Sequence, residues 1–287
     1  SSPCSPKTPT TALFAYSNDL DSSVVTKFQG LFSTNKPDGR YIKFANIRFD
    51  LQLEDPIFYH SNVSEMFSSV ASHLPNPSLS FIDSSTGSDI FRVFERFLQN
   101  GDVPVCGATI LVLAKRYPDD VSFNQIVTDL QGNHVTISVV ASQTPLEVVN
   151  ILKNSTTLLQ KQMELTSFGM PTLYTPYVYY ATNAKVSGTG SIEVARMTIS
   201  SKFSYIFLVT LQDHGPLDSF QRFKLTWHNK NTNTTSFHET ELADLWISET
   251  IMMFDVGLTA GVYEMTYEYE FSDNNTETIQ IRLTSAL

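Results

Sequence analysis

Short apolar runs alternate with stretches of helical spacing through the first half of the chain, and then the helical spacing stops. Ala12-Leu-Phe-Ala-Tyr16 is a run of strand length, and Thr109-Ile-Leu-Val-Leu113 has the unbroken apolar character of a central parallel strand. Val24, Val25, Phe28, Leu31 and Phe32 repeat at helical spacing from Ser22, with Asp21 or Ser22 as N-cap. Ile42, Phe44, Ile47, Phe49, Leu51 and Leu53 alternate on one face, with a one-residue shift near Ala45 and Asn46 that predicts a bulge or a hairpin. Helices are predicted over Val63–Leu74, capped by Asn62, and over Ile90–Leu98. Phe123–Leu130 is a further helix, Val135–Val140 a strand, and Pro145–Leu152 a helix that continues or restarts through Leu158–Leu165.

That order predicts an α/β class, a doubly wound and mostly parallel sheet over residues 1–168. Gly169-Met-Pro-Thr-Leu-Tyr-Thr-Pro176 supplies chain breakers, so a linker is placed at 169–176. From Tyr177 the period becomes two. Phe223–Trp227 alternates cleanly, and Tyr263, Met265, Tyr267, Tyr269 and Phe271 oppose Glu264, Thr266, Glu268 and Glu270. Turn signals at Gly188–Gly190, Asp213–Pro216, Asn229–Thr235 and Asp273–Asn275 separate such strands. Residues 177–287 are therefore expected to form an all-β antiparallel sandwich.

Composition narrows the function classes. The net charge of −10 disfavours nucleic acid, which needs clustered cations to displace counterions, and also an anionic membrane surface. No apolar run approaches the roughly 20 residues of a membrane span. The start, Ser-Ser-Pro-Cys-Ser-Pro, reads as a mature or trimmed terminus. Four N-x-S/T sequons, at Asn62, Asn154, Asn233 and Asn274, point to a secreted or cell-surface glycoprotein, and those at Asn233 and Asn274 fall on expected turns. Cys4 and Cys106 each lie just ahead of a buried-looking strand. If those strands are parallel neighbours the two cysteines share a sheet end and can bridge; otherwise they are two unpaired thiols.

Catalytic patterns find no anchor. There is no G-x-S-x-G elbow, and Gly188-Thr-Gly190 precedes no helix that would cradle phosphate. Cys106 has no adjacent histidine. Asp213-His214 reads as a turn pair, and the Glu264, Glu268 and Glu270 row as a solvated strand face. His228 and His238 are either two polar surface residues or a metal pair across a hairpin. The Tyr174–Tyr180 run is either packing at the linker or an exposed tyrosine patch for a partner. No enzyme and no cofactor are expected.

From Thr10 to Leu165 the order of elements resembles the von Willebrand factor A fold. Metal-binding members share D-x-S-x-S after the first strand, a Thr or Ser before the third helix, and an Asp ending the fourth strand, oxygens suited to a hard cation. Here the first run reads Ala15-Tyr16-Ser17-Asn18-Asp19, Ser84 takes the threonine position, and Lys115 stands where the aspartate is expected. The resemblance therefore implies a degenerate site with no metal. A rebuilt, non-standard metal site using Asp19, Asp83 or Asp119-Asp120 is the alternative. Together with a sandwich, the pattern is similar to nematode-expanded secreted proteins of poorly defined function, which implies surface recognition and a role in host defence. The expectation is an extracellular recognition or adhesion module for a protein or glycan partner. Its ligand-binding residues are expected to be Tyr16, Ser17, Asn18, Asp19, Ser84, Thr86, Lys115 and Arg116, at the carboxyl edge of the first sheet.

Overall fold

β1 (Thr10–Ser17) is buried along its whole length, as its apolar run requires of a strand covered on both faces. In the computed structural model it pairs in parallel with β2 (Tyr41–Phe49) on one side and with β4 (Thr109–Ala114) on the other. The structure describes residues 4–5, 7–29, 39–83, 85–116, 118, 124–141, 157–159, 177–211, 219–242 and 251–285. β3 (Phe58–His60) adds antiparallel to β2, and β5 (Thr136–Ala141) and β6 (Thr157–Leu159) extend the sheet in parallel, giving the order β3-β2-β1-β4-β5-β6. One apolar cluster joins Phe14, Phe44 and Leu111 to Val25 and Phe28 of α1 (Ser22–Gln29) and to Met66 and Val70 of α2 (Val63–Ser72). A second joins Leu13, Ile47 and Ile110 to Ile90, Phe94 and Phe97 of α3 (Ile90–Leu98) and to Leu130 of α4 (Asn124–Gly132). Asn62 caps α2: its side chain accepts from the Glu65 N–H at 2.9 Å, and the Glu65 carboxylate reaches back to accept from the Ser61 N–H ahead of the cap at 3.0 Å.

The chain separates into two compact units, residues 1–177 and 178–287. The second unit is a β-sandwich. One antiparallel sheet has the order β11-β10-β13-β8, from β8 (Thr189–Ile199), β10 (Phe220–Asn229), β11 (Thr234–Glu241) and β13 (Gly261–Phe271). The other has the order β12-β9-β14-β7, from β7 (Val178–Val186), β9 (Phe203–Leu211), β12 (Ile251–Leu258) and β14 (Glu277–Ser285). Phe207, Trp227, Met265, Tyr267, Ile281 and Leu283 lie in the core between them.

The antiparallel sandwich expected over the second part is found, whereas the doubly wound α/β class of the von Willebrand A kind expected for the first is overturned. Among the described residues the protein is mostly β, 50% strand against 19% helix, with four α-helices and with two of three sheets wholly antiparallel. Two local readings fail with it. Thr157–Leu159 is a strand paired to β5, where helix was expected from Leu158; three residues of apolar character cannot distinguish the two periods. The irregularity of β2 lies not near Ala45–Asn46 but at Ile42, which the pairing with β1 skips and which is 48% exposed. The expected helix at 145–152 and linker at 169–176 fall outside the described residues.

The Tyr267 hydroxyl is buried with no hydrogen-bond partner among the described residues, and burial pushes its ionisation well above the ordinary tyrosine value. Tyr267→Phe is expected to stabilise the second unit by about 1 kcal/mol, because an unmade buried hydrogen bond costs more than the apolar replacement. Denaturant titration followed by tryptophan fluorescence checks this; a loss of similar size would mean that the hydroxyl has a partner.

Candidate functional site

Where β1 and β4 end, four loops meet, and one side chain joins three of them. The Arg116 guanidinium pairs through Nε with Asp19 Oδ2 and donates from Nη1 to the carbonyls of Asp83 at 3.1 Å and Thr86 at 3.0 Å. It also lies over the Phe81 ring, 5.5 Å from the centroid. The pairing holds the Arg116 guanidinium above its ordinary value, chiefly through the hydrogen bond it donates to Asp19. Lys115 reaches the same loop, its Nζ donating to the Asp19 carbonyl at 2.7 Å.

The eight residues expected here divide by exposure. Tyr16, Ser17 and Asn18 are buried and serve the scaffold. The Tyr16 hydroxyl donates to the His73 carbonyl at 3.0 Å. Ser17 donates to Asp50 Oδ2 at 2.5 Å. Asn18 bridges to the turn that follows α2: Nδ2 donates to the Asn76 carbonyl at 2.9 Å and Oδ1 accepts from the Asn76 N–H at 2.8 Å. Asp19, Thr86, Lys115 and Arg116 remain at the edge, and Ser84 lies outside the described residues.

Sequence reasoning missed two features. Asp50, directly after β2, is fully buried and exchanges hydrogen bonds with Asp89, the residue ahead of α3: the Asp50 N–H donates to Asp89 Oδ1 at 2.9 Å and the Asp89 N–H to Asp50 Oδ1 at 3.3 Å. A carboxylate immediately following an apolar strand was the available signal. The second feature is apolar. Leu51 bridges Ser80 in antiparallel fashion and the Gln52 N–H donates to the Leu79 carbonyl at 3.0 Å, so residues 51–53 run beside 79–82. In these two neighbouring segments Ile82 is 90% exposed, Leu53 85% and Leu79 41%.

Among the described residues no group of three His, Cys, Asp or Glu is placed to hold a metal ion. His228 and His238 do not form a pair. His228 faces outward to Thr235 at 2.8 Å, whereas His238 lies across from the core residue Leu225 and stacks on Phe254 at 3.8 Å. Asp213-His214 and the sequon at Asn154 fall outside the described residues. Asn233 and Asn274 both lie in exposed turns, and Asn62 is the exposed cap of α2. Cys4 and Cys106 form a disulfide with Cα atoms 5.5 Å apart. No described helix is long and apolar enough to cross a membrane.

Known proteins add little to this picture. A model for a domain of unknown function, DUF7154, matches residues 182–286, within the second unit. No curated protein matches the chain. Among solved structures, the chain is similar to a carbohydrate-binding module of lichenase 5A from Cellvibrio mixtus in complex with cellotriose. The identity is 12%, covering 38% of this chain and 90% of that one, with a TM-score of 0.24. It is also similar to the pre-peptidase C-terminal domain of a Bacillus anthracis collagenase, at 14% identity over 36% and 88% of the two chains, with a TM-score of 0.25. The human COPII-coat protein Sec24c aligns over 98% of this chain and 44% of its own, at 7% identity and a TM-score of 0.39.

Proposed function

We propose that the chain is a non-enzymatic extracellular recognition module, binding a protein or glycan partner through the loops at the carboxyl edge of its first sheet. The observation that carries this reading is the exposure of Ile82, Leu53 and Leu79 in two adjacent loop segments. Large apolar side chains grouped in water are costly to keep unless they meet a partner. Asp19, Thr86, Lys115 and Arg116 would form the polar side of the contact, held in one arrangement by the guanidinium bridge. The Ser17 hydroxyl, a conceivable nucleophile at this edge, is buried and bonded to a carboxyl group rather than to a base such as histidine, which favours binding over catalysis. An oxidising compartment suits the Cys4–Cys106 bridge, and the turns at Asn233 and Asn274 suit glycans.

The test is a screen of the glycosylated chain against oligosaccharides and extracellular protein domains, followed by a comparison with the double variant Leu53→Asp/Ile82→Asp. A ligand found in the screen is expected to bind the variant at least about tenfold more weakly, since apolar anchors at the centre of an interface dominate its energy. Binding that is unchanged in a folded variant would move the site elsewhere.

A further inference from the structure

Asp50 lies behind the candidate edge and outside the residues proposed to touch a ligand. Its side chain is fully buried, and its backbone takes φ 63°, a left-handed conformation that aspartate tolerates better than most residues. The hydrogen bonds around it tie three segments together: the end of β1 through the Ser17 hydroxyl, the end of β2 through Asp50 itself, and the start of α3 through Asp89. The contact continues outward, because the Asp19 N–H donates back to Ser17 Oγ at 3.3 Å and Asp19 holds Arg116.

Among the described residues the charged groups facing this pair are few. Asp89 and Asp19 face Asp50 with negative charge, Glu54 faces Asp89, and Arg116 is the cation within range. Arg116 is bonded to Asp19, and no ion pair to Asp50 is formed among the described residues. A carboxyl group out of water with a second carboxyl in contact and no cation of its own is better off holding a proton. Burial first, and then the carboxylates of Asp89 and Asp19, push Asp50 up to about 7 against the bond from Ser17; burial likewise raises Asp89.

We propose that Asp50 and Asp89 form a proton-operated latch behind the recognition edge: while the pair holds a proton, the loops at Ser17–Asp19 and Asp83–Asp89 stay tied to the end of β2, and loss of the proton loosens them. This makes the edge most ordered in mildly acidic surroundings and looser as the pH rises above neutrality. The sign follows from linkage. The folded state binds the proton more tightly than the unfolded chain does, so the stability it contributes is present at low pH. That stability declines as pH climbs from the ordinary carboxyl range through about 7. The consequence for binding rests on the recognition reading above, whereas the latch can be read without any ligand.

The experiment is amide hydrogen exchange by NMR on the whole chain at about pH 5.5 and about pH 8.5, corrected for intrinsic base catalysis, together with a carboxyl-carbon titration of Asp50. Protection of the Asp19, Asp50 and Asp89 amides is expected to fall roughly tenfold between the two conditions. In Asp50→Asn, which keeps the shape and cannot ionise, it is expected to hold constant. If that variant does not fold, the carboxyl-carbon titration of Asp50 in wild type carries the test alone. Equal pH responses in wild type and a folded variant would assign the change to another group and overturn the latch, as would unchanged protection in wild type or titration of Asp50 in the ordinary carboxylate range. Absence of any ligand at the edge would defeat the proposed function while leaving these readings intact.

Discussion

Replacing Phe207 by alanine is expected to destabilise the second unit by about 3 to 5 kcal/mol, the usual range for deleting a buried aromatic ring. Phe207 is fully buried at the centre of β9, between Phe254 across the strand pair with β12 and Leu283 across the pair with β14. Its ring lies 5.4 Å from both Trp227 and Phe254, so the truncation opens a cavity under the indole that reports on it. Both tryptophans of the sequence, Trp227 and Trp246, belong to the second unit, and all four described helices belong to the first. Tryptophan fluorescence in a denaturant titration therefore follows the sandwich, while the helical far-ultraviolet signal follows the first unit. The fluorescence midpoint should fall sharply in the variant and the helical midpoint should not. Phe237→Ala is the control: that ring is exposed on β11 beneath Lys224, 4.8 Å from the ammonium, and its loss should cost no more than about 1 kcal/mol. Similar losses from both variants would mean that the core is not where the apolar alternation places it.

That alternation explains why the sandwich was the more legible unit. In β13, Tyr263, Met265 and Tyr267 turn inward and Glu264, Glu268 and Glu270 outward, because one face of its sheet meets water. β1 and β4 were legible for the opposite reason, as unbroken apolar runs covered on both faces. β2 was not. Phe44 enters one cluster and Ala45, Ile47 and Phe49 the other, so apolar residues on both faces read as a shifted alternation and suggested a bulge at the wrong place. The α/β class was misjudged for a related cause: short apolar stretches such as Thr157–Leu159 carry no period, and reading them as helix raised the expected helix content above the 19% found among the described residues. At the candidate edge, the meeting of Asp19 with Lys115 and Arg116 could be anticipated, since adjacent parallel strands end together. The bond between Asp50 and Asp89 could not, because it depends on how the entry to α3 sits against the end of β2, and the pattern of either segment alone does not contain that.

Removing the Cys4–Cys106 bridge should produce the complementary result, a loss of about 3 to 5 kcal/mol confined to the first unit. The two cysteines are 102 residues apart, and closing so long a loop removes a large share of the unfolded chain's freedom, although the entropic account depends on how open that unfolded chain is. In the folded unit the bridge fixes the segment leading into β1 to the turn ahead of β4, next to the parallel register that starts with Ala12 opposite Thr109. Tyr177, the last residue of the first unit, reaches the same corner: its hydroxyl donates to the Cys4 carbonyl at 3.3 Å and its ring stacks on His134 at 4.8 Å. Gly107, next to Cys106, takes φ 67°, and a Cβ there would stand 3.1 Å from the Tyr177 ring, so the turn tolerates little rearrangement. In Cys4→Ser/Cys106→Ser the helical signal should therefore melt at markedly lower denaturant while the tryptophan transition stays in place. A common shift of both transitions would show that the two units unfold as one cooperative block. No shift in either would mean that the unfolded first unit is already compact enough for the bridge to constrain nothing further, and the order of strands around β1 would then have to be held by apolar packing alone.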